Sequence, residues 1–322
     1  MRKEIGGYLE LERFTGRMLH EEALGLGSGR ACLAYLIEQK NIRKLLLPDF
    51  ICDVTEQVCG RYGVSLRRYP VGPDFRPTKL TAEDGEWVYL VNYYGQLTEE
   101  ELSAYAARSP KLIVDNAQAY FAPPLKGVDT LYTCRKFLGV ADGGFLYTDM
   151  PVKELPEDES RERMSFVLGR FERPAGEFFR EASKNNDDLP LTPKKMSRLT
   201  ENLLRAVDYE RVKAARTENC RILHKALEEV NRLPVRPVEG AYAYPLLLEN
   251  GTEIRRMLIE QKIFVPTLWP NVLKEEQKNT AAYTLADNIL PLPCDQRYGL
   301  EEMNMIIEAV FRCLRELQEK QA

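Results

Sequence analysis

Lys111-Leu112-Ile113-Val114-Asp115-Asn116-Ala117-Gln118 is the stretch that decides how this chain is read. An unbroken apolar run with no polar alternation describes a strand covered on both faces, as in a parallel or mixed sheet flanked by helices. Asp115 ends the run, so its carboxylate falls at the carboxyl edge of the sheet, where open α/β sheets hold their ligands. Taken alone, such an aspartate reads first as a cap for the following helix.

Outward from this run, from about residue 27 to 150, short β-rich stretches alternate with amphipathic ones. Strands are expected over 44–47, 64–69, 87–92, 111–115, 130–133 and 144–148, and helices over 31–40 and 99–107. The fold class is therefore α/β, with helices on both sides of a mostly parallel sheet. Residues 151–161 are polar with two prolines, which fits a surface connection, and 184–193 reads as a mobile loop. One long helix is expected from Thr200, as N-cap, towards residue 230, with a kink or break allowed by its length. Met303, Ile306, Ile307, Val310, Leu314 and Leu317 form one apolar stripe and mark a last helix. The chain divides into a large unit over 1–199 and a smaller α+β unit over 200–322.

With 322 residues, 44% of them apolar, the chain can bury the core of a large unit and a smaller one. Basic residues number 45 against 49 acidic, a net charge of −4 that lacks the clustered basic excess of a nucleic-acid binder. The pair Arg67-Arg68 reads as a solvated strand end. Seven scattered cysteines with no C-x-x-C pair read as reduced thiols of a cytoplasmic protein rather than a disulfide frame or zinc site. Met1-Arg2-Lys3-Glu4-Ile5-Gly6 has charge but no apolar stretch behind it, so no signal peptide is expected. No apolar run nears the roughly 18 residues of a membrane span. Only His20 and His224 exist, which argues against a Ser-His-Asp hydrolase or a His-ligated metal enzyme; no metal is expected, and His224 reads as a surface residue. The chemistry falls to Lys, Asp or a borrowed cofactor.

Two further stretches carry that chemistry. Thr133-Cys134-Arg135-Lys136-Phe137-Leu138-Gly139 follows another strand, with Lys136 in apolar company. A desolvated lysine gives up its proton readily and becomes an amine nucleophile. Gly143-Gly144 opens the next strand where the backbone must turn or pass closely. Gly25-Leu26-Gly27-Ser28-Gly29-Arg30 precedes a helix whose free N–H groups can bind phosphate. No convincing strand is visible before these glycines and the G-x-G-x-x-G spacing is absent, so a plain glycine turn fits this stretch equally well.

Together these residues resemble the DegT/DnrJ/EryC1/StrS family of pyridoxal 5'-phosphate (PLP) enzymes, the nucleotide-sugar aminotransferases of the aspartate-aminotransferase fold. The resemblance runs from about residue 25 to 312. It rests on Gly27-Ser28-Gly29, on Val114 to Gln118, on Lys136 followed by Asp142-Gly143-Gly144, on Leu268-Trp269-Pro270 and on the stretch from Ile289 to Tyr298. It implies a three-layer PLP-binding large domain and a small C-terminal domain. Lys136 would bind the cofactor covalently, Asp115 would face its pyridine nitrogen and Gln118 its phenolic oxygen. Gly27, Ser28 and Gly29 would hold the phosphate, Thr133 would add a hydroxyl and Phe50 would stack on the ring. Trp269 would line the acceptor pocket and Arg297 would meet a donor carboxylate. The site would be shared in a homodimer. Pro193-Lys194-Lys195-Met196-Ser197 stands where relatives carry an asparagine that reaches the neighbour's phosphate, giving that role to Ser197 or Lys195. The implied reaction moves an amino group from an amino acid, usually glutamate, to a keto group on a nucleotide-linked sugar. Two alternatives stand beside it: a PLP-fold protein with another reaction or with cofactor binding only, and a nucleotide-binding α/β transferase or scaffold.

Overall fold

A computed structural model describes residues 5–321; Met1 to Glu4, part of the stretch read for a signal peptide, lie outside the described residues. β1 (Leu24–Leu26) leads into α1 (Gly29–Gln39), β2 (Lys44–Pro48), α2 (Asp53–Arg61), β3 (Ser65–Tyr69) and β4 (Trp87–Val91). Then come α3 (Glu99–Arg108), β5 (Leu112–Asp115), β6 (Asp129–Thr133) and β7 (Gly144–Tyr147). These seven strands make one sheet in the order β1-β7-β6-β5-β4-β2-β3. The run from β3 to β6 is parallel, and β7 is antiparallel to both of its neighbours.

The chain passes from β2 outward to β3, then returns to lay β4 on the other side of β2. That reversal is the switch point at which α/β sheets open a crevice at their carboxyl edge. Local signals fix the helices that frame it. Ser28 caps α1 by accepting from the Ala31 N–H at 3.2 Å. Thr98 and Glu101 close a reciprocal capping box on α3.

α4 (Ser165–Glu172) and α5 (Phe179–Asp187) follow the sheet, then α6 (Arg198–Leu204) and α7 (Tyr209–Leu227). The remainder is β8 (Tyr244–Leu247), α8 (Gly251–Glu260), α9 (Val272–Glu275), α10 (Ala281–Asn288), β9 (Ile289–Leu292) and α11 (Leu300–Gln321). β8 and β9 pair antiparallel, and with α7, α8 and α11 they enclose a second core around Leu223, Leu246, Ile254, Leu290 and Val310. The seam between the units is not a single cut near residue 200. Leu204, Tyr209 and Val212 pack with Tyr120, Tyr132 and Phe137, while Val272, Ala282 and Leu285 join the core of the large sheet.

Four expectations are corrected. A strand does precede the glycines: β1 is only three residues long and is defined by pairing with β7, which no local pattern reveals. The long helix is two helices, because Ser197, not Thr200, caps α6 and Asp208 caps a fresh start at α7. Residues 184–187 of the expected mobile loop complete α5. His224 is half-buried beside Glu228. Arg67 and Arg68 are exposed at the strand end as expected, with Arg68 paired to Glu56, Glu275 and Glu276. Among the described residues no helix is long and apolar enough to cross a membrane.

Candidate active site

The carboxyl ends of β5 and β6, neighbours in the sheet, bring Asp115 and Lys136 to one edge of the sheet, where each feels the other's charge. Asp115 is the last residue of its strand; its Oδ1 accepts from the Ala117 N–H at 2.7 Å and its Oδ2 from the Tyr89 hydroxyl at 2.9 Å. Burial pushes the carboxyl pKa up, and the nearby Lys136 charge and the two hydrogen bonds pull it back down. Lys136 stands three residues beyond β6 and is exposed to water, although many protein atoms gather around its amine. That crowding lowers its ammonium pKa, and the Asp115 and Cys52 side chains act against the shift. Lys136 Nζ also lies 5.6 Å from the centre of the Tyr242 ring.

Gln118 is buried on the same edge. Its Oε1 accepts from the Tyr94 N–H at 3.0 Å, and its Nε2 has no partner. Tyr94 itself sits at φ 51°, a left-handed conformation that a non-glycine residue adopts at a cost of roughly 1–3 kcal/mol. The strain delivers the N–H that orients Gln118.

The glycine turn meets this pair from the neighbouring strands. Gly143 N–H donates to the Gly27 carbonyl at 2.7 Å, and a Cβ on Gly144 would stand 2.6 Å from the Ser28 carbonyl carbon. Asp142 braces the turn: its carboxylate accepts from Ser197 N–H and Ser197 Oγ, each at 2.7 Å, and from the Thr200 hydroxyl.

Other expected site residues fall elsewhere. Phe50 is sealed in the core, stacked on Tyr93 and edge-on to Trp269 at 4.5 Å, so it offers no open face to a ring. The strand preceding it gives no signal for which way its side chain turns. Ser197 is buried in its own chain as the cap of α6 and a ligand of Asp142, which removes it from any role at a neighbour's phosphate. Lys195 is paired through its backbone with Leu26 and Glu157, beside the glycine turn of its own chain. Thr133 Oγ1 donates to the Gly143 carbonyl. Arg297 is held bidentate by Asp295 at 2.7 and 2.9 Å.

Some residues of this edge escaped the sequence reading. Arg216 is buried and donates from Nη2 to the Phe137 carbonyl at 3.0 Å; Gln296 Nε2 donates to the same carbonyl at 2.9 Å. Both tie the lysine loop to the second unit. Tyr89, Tyr94 and Tyr242 also went unread, since aromatic residues in and after strands look like core.

A seven-stranded mixed sheet with a lysine and an aspartate on adjoining strand ends, followed by a small two-stranded unit, defines a PLP-transferase-like fold. No family model matches the chain, and no curated protein matches it in sequence. Solved structures do. A putative sugar aminotransferase from Streptococcus pneumoniae in its apo form is 14% identical with a TM-score of 0.66, over 96% of this chain and 94% of that one. The DegT DnrJ EryC1 StrS aminotransferase from Brucella abortus is 15% identical with a TM-score of 0.61, over 89% and 84%. NtdA from Bacillus subtilis, with bound cofactor PMP, is 14% identical with a TM-score of 0.65, over 91% and 73%. The chain has the fold of these aminotransferases.

Proposed function

We propose that this chain is a PLP-dependent aminotransferase of the DegT/DnrJ/EryC1/StrS type, moving an amino group from an amino acid, glutamate in the first instance, to a keto sugar carried on a nucleotide. One observation carries the reading: Lys136 and Asp115 come from adjoining strand ends at one edge of the sheet, each within reach of the other's charge.

The residues present fit the cofactor. Gln118 Nε2 is a buried donor without an acceptor, as a phenolic oxygen would require. The Ser28-Gly29 turn at the start of α1 provides N–H groups and a helix dipole for a phosphate, and only a glycine at position 144 leaves room for that turn. When bound, PLP supplies an electrophilic carbon and an electron sink, through which an amino group leaves one carbon and joins another. Lys136 would hold the cofactor, and its lowered pKa leaves more of it as the free amine near neutral pH. Its Nζ is then the group at this edge able to carry a proton. Asp115, fixed by Tyr89 and Ala117, would face the ring nitrogen of a bound cofactor, where a cation would offset the burial that raises its own pKa. The lysine sets this reading apart from cofactor binding alone, and the buried carboxylate facing it sets it apart from a nucleotide scaffold. Exposed Leu168, Phe171 and Phe179 on α4 and α5 support a homodimer, which light scattering tests.

The test is the visible spectrum of protein incubated with PLP, before and after borohydride, with the reduced pyridoxyl group mapped by peptide analysis. Attachment at Lys136, lost in Lys136→Ala, and a glutamate-dependent spectral change are expected. A colourless protein, or a label spread over other lysines, overturns the proposal.

A further inference from the structure

Arg30 and Arg135 flank the Ser28-Gly29 turn, and among the described residues neither forms an ion pair with a carboxylate. Arg30 follows Gly29 directly; Arg135 lies two residues past Thr133, whose strand partner Gly144 is packed on that turn. The Arg135 Nε is shut off from water with no acceptor. Asp142, an acid that Arg135 feels, already has its oxygens taken by Ser197 and Thr200. Arg30 is tethered by neutral groups: its Nη1 donates to the Asn186 carbonyl at 2.6 Å and to that of Leu189 at 3.4 Å. Burial lowers both guanidinium pKa values, and Arg135, further repelled by Arg30, is pushed down to about 10.

Asp53 and Asp187 act on Arg30 and Asp142 on Arg135, but only at a distance, so two crowded cations beside the amino end of an eleven-residue helix lack an ion-paired anion and are stabilised when one joins them. Ser28 Oγ and the Ser28 carbonyl take up the Ala31 and Cys32 N–H groups, so the Gly29 and Arg30 N–H groups remain for a ligand. We propose that Arg135 and Arg30, with these first-turn N–H groups, form a same-chain site for a phosphate dianion. Arg135 supplies the unspent donors and Arg30 supplies positive potential. This rests on the cofactor reading above and adds to it: the phosphate contact expected from Ser197 or Lys195 of a neighbouring subunit is provided within one chain.

The experiment compares uptake of pyridoxal 5'-phosphate with that of pyridoxal, which lacks the phosphate, by absorbance titration. It uses the wild-type protein, Arg135→Gln, Arg135→Lys and Arg30→Gln, with competition by inorganic phosphate. Arg135→Gln should cut the preference for the phosphorylated compound roughly 10- to 100-fold, the scale of a charge-assisted hydrogen bond. Arg135→Lys should recover part of it, and Arg30→Gln should lose less. The melting temperature of Arg135→Gln without ligand should not fall below wild type, since an unpaired charge is removed; a merely structural arginine would lower it. If wild type prefers the phosphorylated compound and Arg135→Gln keeps that preference in full, the phosphate site is overturned and the cofactor reading stands. If wild type takes up neither pyridoxal compound but binds inorganic phosphate through Arg135, the anion site stands and the cofactor reading falls. If it binds none of the three, both fall. Arg30→Gln keeps the test open should Arg135→Gln fail to fold.

Discussion

Replacing Gly144 with alanine places a methyl group 2.6 Å from the Ser28 carbonyl carbon, 2.8 Å from its oxygen and 3.0 Å from the Gly29 nitrogen. Comfortable carbon contacts begin near ~3.5 Å, so the turn must retreat by roughly 1 Å. All three neighbours are backbone atoms, in a segment held between β1, β7 and α1, and none can rotate away. Overpacking of this kind costs about 1–3 kcal/mol, which lowers the melting temperature of a chain this size by roughly 2–6 °C. The displaced atoms are those assigned to the phosphate, so PLP affinity should fall about tenfold or more, while pyridoxal affinity changes little. Thermal unfolding and absorbance titration read the two effects. Gly60→Ala, in α2 with nothing near the added methyl, should be neutral or gain about 0.5–1 kcal/mol. A Gly144→Ala protein with wild-type melting temperature and PLP affinity would refute the idea that this close approach shapes the cradle.

Asp115→Asn should leave the fold intact and slow the glutamate-dependent half-reaction by roughly 10²–10³-fold in stopped-flow absorbance, as loss of a pre-placed electrostatic partner does; an unchanged rate would remove Asp115 from the site. Because burial lowers the Lys136 pKa, its trapping by PLP and borohydride should rise with pH through a midpoint below the ordinary lysine value, and Asp115→Asn, by deleting an opposing charge, should move that midpoint lower still. A midpoint at the ordinary lysine value contradicts the crowding argument. His20 is buried with Nε2 against the Tyr120 carbonyl, and burial lowers its pKa to about 4. Between its unfolded value of 6.5 and 4 the unfolded chain binds the extra proton, so about 3 kcal/mol of stability is lost as pH falls through that window. His20→Gln should flatten this part of a denaturation-against-pH curve.

The sequence was most legible where burial on both faces writes continuous apolar runs, as in β2, β4 and β5, and where a polar residue interrupts such a run at its carboxyl end. Asp115 and Lys136 are visible for that reason. β1 was not, because three residues acquire strand geometry from β7 rather than from their own pattern. The break before α7 turns on Asp208 outcompeting continued helix, a contest between cap and propensity that spacing alone leaves undecided. Phe50 and Ser197 turn into their own chain's interior, and the stretch after a strand end has no period to say which way a side chain turns. Arg135 is the converse case, since a missing partner is a property of three dimensions.

The double grip of Arg216 and Gln296 on the Phe137 carbonyl bears on how substrates enter and leave. A wholesale swing of the C-terminal unit would have to break two hydrogen bonds to a single oxygen, one of them charge-assisted, or drag the neighbouring Lys136 with it. The stretch from Lys262 to Trp269, whose two ends sit at φ 62° and 53°, carries backbone tension of its own, outside that grip. The loop that bears Lys136 is thereby clamped to both units at once, so neither can shift without the other.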